Sequence, residues 1–432
     1  MSFDRSLLLT VLCLCYSLRL YPDYGIFLDA LNPSPSSPKP PPIGLRWAVN
    51  GARKVLREAR EEEENEECDE TGDGSRTLAP MDGMENALKI LVRDAVEEFG
   101  FIPRDVYNGI FGVHNLKTQH SNVTNDLDYD QLKHIVTSFC NNRGLGFQYS
   151  HRVVVVFPLP PEVDQIGSDS WAIDFKSIRI ARKVMGLMCL REHERIQEMY
   201  WFFHGHQQSS TLAGWFFEEI VHRLFSSRWK SGTAPQPTHM GNRGPPDSPL
   251  FSTDPPSSTS DTPLSPLRPK ARSVTKVDFT PRELGDVTLD SDRYYIPSKA
   301  NHPLFDSFTI DVVPPTCEKP ATGVISIFQI TISDGRKGSD KGYPHIRKIM
   351  ARVRSLLQEG YSNPKVEVVY FLVCPHDQSQ RQWQMPAGWD KSAKTNNHRG
   401  ECFCIRIPVP GHHGTLRLLT PNFSTELNHC WT

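Results

Sequence analysis

The stretch that decides the fold is LFDSF, residues Leu304–Phe308, together with GVISIFQIT, residues Gly323–Thr331. Both are short apolar runs typical of buried β-strands, and each contains one strongly polar residue that a purely structural strand does not need. These polar residues are Asp306 and Gln329. Because strands that follow each other along the chain are usually neighbours in a sheet, the sequence predicts that both side chains lie at the same end of one sheet.

The segments on either side of this pair predict an α/β core. Tyr343–Leu357 repeats apolar residues at the helical period and carries Arg and Lys on its other face, and Val366–Val373 is a continuous apolar strand. Upstream, Leu212–Phe225 is a strongly apolar helix that contains two carboxylates. Helices that alternate with strands in this way form layers around a sheet.

These residues carry a resemblance to a known superfamily. A Gly-x-x-Phe-Glu helix ending at Glu218, then Asp306 on a strand, then Gln329-x-Thr331 on the next strand resembles the PD-(D/E)XK restriction-endonuclease-like core. The variant that it resembles is found in eukaryotic effectors of the Crinkler and retrotransposon-hot-spot (RHS) type. The resemblance covers roughly residues 205–390. It implies an α/β fold with a mixed sheet core of order α-β-β-β-α-β and a nuclease that acts on DNA.

The resemblance also implies a catalytic site and a cofactor. Mg²⁺ prefers a few carboxylate or carbonyl oxygens and keeps several waters, so Asp306, Gln329 and Glu218 are the expected metal ligands. Related nucleases have a lysine that orients water at the position of Thr331, and Lys348 is the first candidate to replace it. Each residue also has a structural alternative. Asp306 can cap a strand, Gln329 can bond to backbone, and Glu218 can be a solvated helix residue.

A basic segment follows the candidate site. Between residues 336 and 354 the only acidic residue is Asp340, and a phosphate backbone would be attracted to this face. The alternative is a solvated helix face. The residues expected to bind nucleic acid are Arg336, Lys337, Lys341, Arg347 and Arg352.

Composition bounds the rest of the chain. The 432 residues are enough for two or three domains, and the net charge of −2 argues against a protein that coats nucleic acid along its whole length. The ten cysteines are scattered without a disulfide pattern. The predicted divisions are an apolar N-terminal segment (1–30), a Pro-rich and acidic disordered linker (31–80), a helical region (81–205), the nuclease-like domain (206–395) with a disordered insertion (226–273), and C-terminal strands or tail (396–432).

The region 81–205 resembles the lid of the NTPase module that precedes the nuclease in the same effector families. Its predicted elements include a strand over His151–Pro158 and helices over Ile173–Met188 and Glu192–Phe203. No Gly-x-x-x-x-Gly-Lys-Ser/Thr motif occurs in the chain, so no loop cradles nucleotide phosphates. The sequence therefore predicts an NTPase-lid-like remnant without a bound nucleotide.

Two functions remain open at this point. One is a Mg²⁺-dependent effector or transposon-derived nuclease, and the other is a degenerate nuclease fold that binds nucleic acid or a protein partner, such as a host nuclear protein. The apolar segment 1–30 predicts either a cleaved signal peptide or a buried helix, and its apolar run, Ser6–Leu18, is too short to span a bilayer. The sequence thus predicts no stable membrane association. It favours either secretion followed by entry into a host nucleus or a nuclear location in the producing cell.

Overall fold

The computed structural model describes residues 92, 94–100, 102, 105, 106, 116–141, 150–158, 171–191, 195–227, 237–242, 250–252, 271–277, 279, 284, 287–298, 302–317, 319–333, 335–376, 381–385 and 402–409. The predicted N-terminal segment and linker, residues 1–80, lie outside these residues. The chain divides into two compact units, Met1–His193 and Glu194–Thr432.

The first unit contains helices and a two-stranded antiparallel hairpin. Its helices are α1 (Leu116–Asp126), α2 (Tyr129–Cys140), α3 (Ser150–Val153) and α4 (Ile178–Arg191), and its strands are β1 (Val154–Pro158) and β2 (Trp171–Phe175).

Two predicted elements of this unit begin later along the chain than the sequence indicates. The helix predicted from Ile173 begins at Ile178, because Trp171–Phe175 pairs with β1 as a strand. The strand predicted over His151–Pro158 begins at Val154, because Ser150–Val153 forms one turn of helix. At the end of β2, the buried Lys176 ammonium contacts the buried Asp105 carboxylate. In both cases strand pairing decides the boundary.

The second unit is built on a mixed sheet flanked by helices. Among the described residues its sheet has seven strands in the order β3-β13-β11-β9-β8-β7-β6. The helices are α5 (Ile196–His204), α6 (Ser210–Ser226) and α7 (Tyr343–Gln358), and the strands of this sheet are β3 (Pro237–His239), β6 (Ser273–Val277), β7 (Arg293–Pro297), β8 (Ser307–Val313), β9 (Thr322–Ile330), β11 (Lys365–Pro375) and β13 (Cys402–Ile407).

The centre of the sheet is an antiparallel meander followed by a parallel crossover. β7, β8 and β9 pair antiparallel in succession. The chain then passes through α7 and returns as β11, which pairs parallel with β9, and β13 extends the parallel part. The α/β class and the helix and strands predicted at the centre of unit 2 are therefore confirmed. The strand predicted from Leu304 begins at Ser307.

Helices cover both faces of this sheet. On one face, the Phe225 ring of α6 stacks on Phe328 of β9, with ring centroids 4.7 Å apart. On the other face, Ile325 and Ile327 belong to one buried cluster with Ile349 of α7. Successive residues of a strand point to opposite faces, so β9 is buried on both sides and reads as a continuous apolar run.

The predicted insertion, residues 226–273, contains short strands where the structure describes it. β3 pairs with β13 at the edge of the main sheet. A second sheet has the order β10-β12-β5-β4, with β4 (Gly241–Asn242), β5 (Leu250–Ser252), β10 (Gly335–Lys337) and β12 (Gln382–Gln384). Over the described parts of both units, no helix has the length and hydropathy needed to cross a membrane.

Candidate active site at one end of the central strands

Asp306 and Gln329 meet where β8 begins and β9 ends. Gln329 Nε2 donates to Asp306 Oδ2 at 2.5 Å, and the backbone N–H of Ile330 donates to the same oxygen at 2.6 Å. Ser307 pairs with Phe328, so the residue before β8 comes opposite Gln329. The two polar residues that the sequence singled out are thus in direct contact, and Gln329 is buried.

This contact also gives Asp306 a structural role. Ile330 is the last residue of β9, and a backbone N–H at a strand end needs an acceptor that the sheet no longer provides. The Asp306 carboxylate supplies it. The structural alternative for Asp306 is therefore realised in part, and it coexists with the pairing that a metal site requires.

The amino end of α7 packs against the segment that leads to Asp306. A Cβ on Gly342 would come within 2.3 Å of the Cβ of Leu304, so only glycine permits this approach. His302 Nε2 and His345 Nδ1 are 2.5 Å apart, and the Tyr370 hydroxyl donates to the Leu304 carbonyl. These contacts fix the start of the basic helix beside the candidate site.

The His302 ring is held neutral in this contact. Burial is the main cause that lowers its pKa to about 3, and the neighbouring His345 acts in the same direction. Its Nδ1 accepts weak hydrogen bonds from the backbone N–H groups of Leu304 and Phe305, at 3.4 and 3.3 Å. The proton therefore resides on Nε2 and is donated to His345.

A chain of polar contacts on the α6 side connects Glu218 to β7 and β8. Its Oε1 lies 3.4 Å from His222 Nε2, and His222 Nδ1 lies 2.9 Å from the Tyr294 hydroxyl. That hydroxyl lies 2.6 Å from Ser307 Oγ. Burial is the main cause that raises the pKa of Tyr294, and the charges of Asp306 and Glu218 add to it, so the phenol stays protonated. The chain fixes α6, and with it Glu218, on the sheet.

The two groups of residues lie on different faces of the central strands. Ser307 and Phe328 face α6, since Phe328 stacks on a ring of that helix. Gln329 is the next residue along β9 and points towards α7, and Thr331 follows with the same alternation. Glu218 is therefore linked to the Asp306 and Gln329 pair through His222, Tyr294 and Ser307.

The remaining predicted residues lie between the end of β9 and the second half of α7. Thr331 is buried, its N–H donates to the Val373 carbonyl at 2.9 Å, and its hydroxyl accepts from the Ser333 N–H at 3.1 Å. Lys348 is half-buried on α7, one turn after His345. Lys341 and Arg347 are exposed and Arg352 is half-buried, whereas the side chains of Arg336 and Lys337 lie outside what the structure describes.

A cation at this site would be held mostly by water. Asp306 offers one carboxylate and Gln329 one amide carbonyl, a donor set that suits Mg²⁺, which keeps several of its own waters. Within the described ranges, no three His, Cys, Asp or Glu side chains are grouped as they would be in a cage made of protein ligands. The residues fit a hydrated Mg²⁺ ion and do not form such a cage.

The sequence reasoning passed over several residues of this region. His222 and Tyr294 complete the polar chain, and Glu218 and His222 have the i, i+4 spacing that could have indicated it. Two thiols, Cys374 and Cys404, lie 3.5 Å apart further along the same end of the sheet. No local pattern indicates that pair, because β11 and β13 come together only in the folded sheet.

Comparison of the chain with protein-family models, curated proteins and solved structures finds no match.

Proposed function

We propose that the second unit is a restriction-endonuclease-like domain that hydrolyses DNA phosphodiester bonds with Mg²⁺, in a protein of the Crinkler or RHS type. The chain order supports this proposal: α6 is followed by β3 to β6, then by β7, β8 and β9, and then by β10, α7 and β11. Apart from the additional strands β3 to β6 and β10, this is the α-β-β-β-α-β order that the resemblance implies. Residues 81–205, which include the described part of the first unit and α5 of the second, are then the NTPase-lid-like remnant.

The observation that carries the proposal is the contact between Asp306 and Gln329. Two polar residues meet where β8 begins and β9 ends, with the Gln329 amide nitrogen on the Asp306 carboxylate, so that a carboxylate and an amide group lie together at one end of the central strands. Mg²⁺, when bound, would polarise the phosphoryl group. Asp306 and Gln329 would hold it, whereas Glu218 lies on the α6 side of the strands, where it contacts His222.

The chain offers a basic helix for the substrate. α7 begins beside Leu304, two residues before Asp306. Lys341, just before the helix, and Arg347, on it, are exposed to solvent, where phosphate groups of a duplex can contact them. Related nucleases have a lysine at the position of Thr331, and Lys348 is the proposed replacement for it. An ammonium group at that place would stabilise negative charge that develops on the phosphate.

Cleavage of supercoiled plasmid DNA by the full chain tests this proposal. We expect nicking that requires Mg²⁺, stops with EDTA and falls at least about 100-fold in Asp306→Asn, since loss of a metal-binding carboxylate removes charge stabilisation worth several kcal/mol. The matched control is Glu367→Gln, which removes a carboxylate of the same sheet at the exposed end of β11, where it pairs with Lys365. Glu367→Gln should cleave at the normal rate.

Two results would count against the catalytic proposal. One is cleavage that Asp306→Asn retains in full, which would locate the activity elsewhere or in a contaminant. The other is absence of cleavage by a folded protein under every divalent cation tried. Thermal unfolding of each variant is measured alongside, so that loss of activity is separated from loss of structure.

Binding without cleavage is the second candidate function. It is favoured by Thr331 in place of lysine and by the use of one Asp306 oxygen for both Gln329 and Ile330. Fluorescence anisotropy with labelled duplex DNA at several salt concentrations would measure it. If Lys341 and Arg347 contact phosphates, the double alanine variant should lower the slope of log K against log salt by about 1.8, at about 0.9 per contact. An unchanged slope would remove α7 from the interface.

A further inference from the structure

Two buried thiols face each other at the carboxyl end of the parallel strands. Cys374 Sγ of β11 and Cys404 Sγ of β13 are 3.5 Å apart, and both side chains are buried in the cluster that α7 covers. In the register of these strands Leu372 pairs with Cys404 and Cys374 pairs with Arg406, so the two cysteines are diagonal neighbours. A disulfide joins sulfurs about 2.05 Å apart, so each would move by only about 0.7 Å.

The surroundings make the two thiols unequal. The hydrogen bond from Cys374 is the main cause that lowers the pKa of Cys404, and Arg406 and Arg381 act in the same direction. The same hydrogen bond, together with burial, raises the pKa of Cys374. Arg381 is itself buried and is held by a bond from its Nη1 to the Ile332 carbonyl at 2.5 Å. Cys404 is thus the more acidic of the two thiols.

We infer that Cys374 and Cys404 are a redox site, which a hydroperoxide converts into an intramolecular disulfide and a thiol reductant restores. The inference rests on the approach of the two sulfurs and on the arginines beside them. It does not depend on the proposed nuclease activity.

The reaction balances with hydrogen peroxide as the oxidant. The Cys404 thiolate attacks one peroxide oxygen, the O–O bond breaks, and the products are a sulfenic acid and hydroxide. The Cys374 sulfur then attacks the Cys404 sulfur, which forms the S–S bond, and the Cys374 proton leaves with the sulfenic oxygen as water. The proton that Cys404 lost when it ionised neutralises the hydroxide from the first step. Two thiols and one peroxide give one disulfide and two waters.

The disulfide would lie next to the candidate site. The Thr331 N–H donates to the carbonyl of Val373, which immediately precedes Cys374, and Gln329 pairs in register with Leu372. A covalent link between β11 and β13 would therefore fix the strand that supports the end of β9. Oxidation of Cys374 and Cys404 would therefore affect the part of the sheet that holds Gln329 and Thr331.

Peptide mapping of the full chain tests the inference. The native protein is treated with graded hydrogen peroxide, free thiols are alkylated, and the digest is analysed without reduction. We expect a peptide containing Cys374 linked to the peptide containing Cys402 and Cys404, with a loss of two hydrogens and two alkylation sites, and its disappearance after dithiothreitol. Cys402→Ser separates the two cysteines of that peptide and should retain the link, whereas Cys404→Ser should abolish it.

Three results would overturn the inference. One is that, after peroxide treatment of the native protein, Cys374 is still recovered as an alkylated free thiol while the exposed Cys317 is oxidised. Another is a link that survives in Cys404→Ser and vanishes in Cys402→Ser. The third is a link that forms only in urea, which would assign it to the unfolded chain. The mapping of the unmodified sequence decides the matter even if a serine variant fails to fold.

Discussion

Replacing Asp306 by alanine tests how much of the stability of the sheet rests on one carboxylate. The substitution removes the acceptor of two hydrogen bonds, from Gln329 Nε2 and from the Ile330 N–H. Hydrogen bonds to a charged group contribute about 1.5–3 kcal/mol each, and the lower value applies because Asp306 is half-buried and water can enter. We therefore expect Asp306→Ala to destabilise the second unit by about 3 kcal/mol.

The variant Asp306→Asn should lose only part of the stability that Asp306→Ala loses. Asp306→Asn retains one oxygen that can accept both bonds but carries no charge, and neutral hydrogen bonds are about half as strong, so we expect it to cost about half as much. Glu367→Ala is the control, since its carboxylate is on the surface of the same sheet and exposed ion pairs contribute about 0–1 kcal/mol. The expected order of stability is Glu367→Ala, then Asp306→Asn, then Asp306→Ala.

Hydrogen exchange in EDTA is the suitable assay, because two units need not unfold together and metal binding would obscure the comparison. A loss of about 3 kcal/mol corresponds to roughly 100-fold faster exchange. The effect should be largest at the Ile330 amide and in the peptide that contains it. Exchange in Asp306→Ala within threefold of the unmodified protein would refute the reasoning, since Asp306 would then hold neither group appreciably.

Two further predictions concern the packing of α7. A Cβ on Gly323 would lie 2.8 and 2.9 Å from two side chains of α7, so Gly323→Val should cost about 1–3 kcal/mol in urea unfolding, whereas Gly360→Ala, with nothing within 4 Å, should not; equal stability would contradict this close approach. His302 has a pKa of about 3 when folded, against the ordinary histidine pKa of 6.5 in the unfolded chain, so between these pH values the unfolded chain binds a proton that the native state does not. Stability should therefore be fully present above pH 6.5 and fall as the pH drops towards 3. His302→Asn keeps an acceptor for the backbone but does not titrate, so its urea midpoint should fall less between pH 7.5 and 4.5; parallel curves would show that His302 does not carry the effect.

Local patterns along the sequence predicted the central elements of the second unit well. The helical period of residues 343–357 and the apolar run from Val366 agree with α7 and β11, because both elements bury a face that a local pattern encodes. The boundaries were less well predicted. Leu304 and Asp306 precede β8, because Asp306 turns its side chain to the end of β9. Trp171–Phe175 forms a strand, since pairing with β1 overrides local preference.

The candidate site, like the fold, was predicted from the sequence only in part. The amino-acid sequence by itself determined that Asp306 and Gln329 interrupt two neighbouring apolar strands, and a polar residue in such a strand has to find a partner. Only the tertiary structure decided that they partner each other, that Glu218 is held through His222, and that Cys374 faces Cys404. The physical reason is that strand register and helix docking set these contacts. Both arise from packing between segments that are distant along the chain, and no local pattern records them.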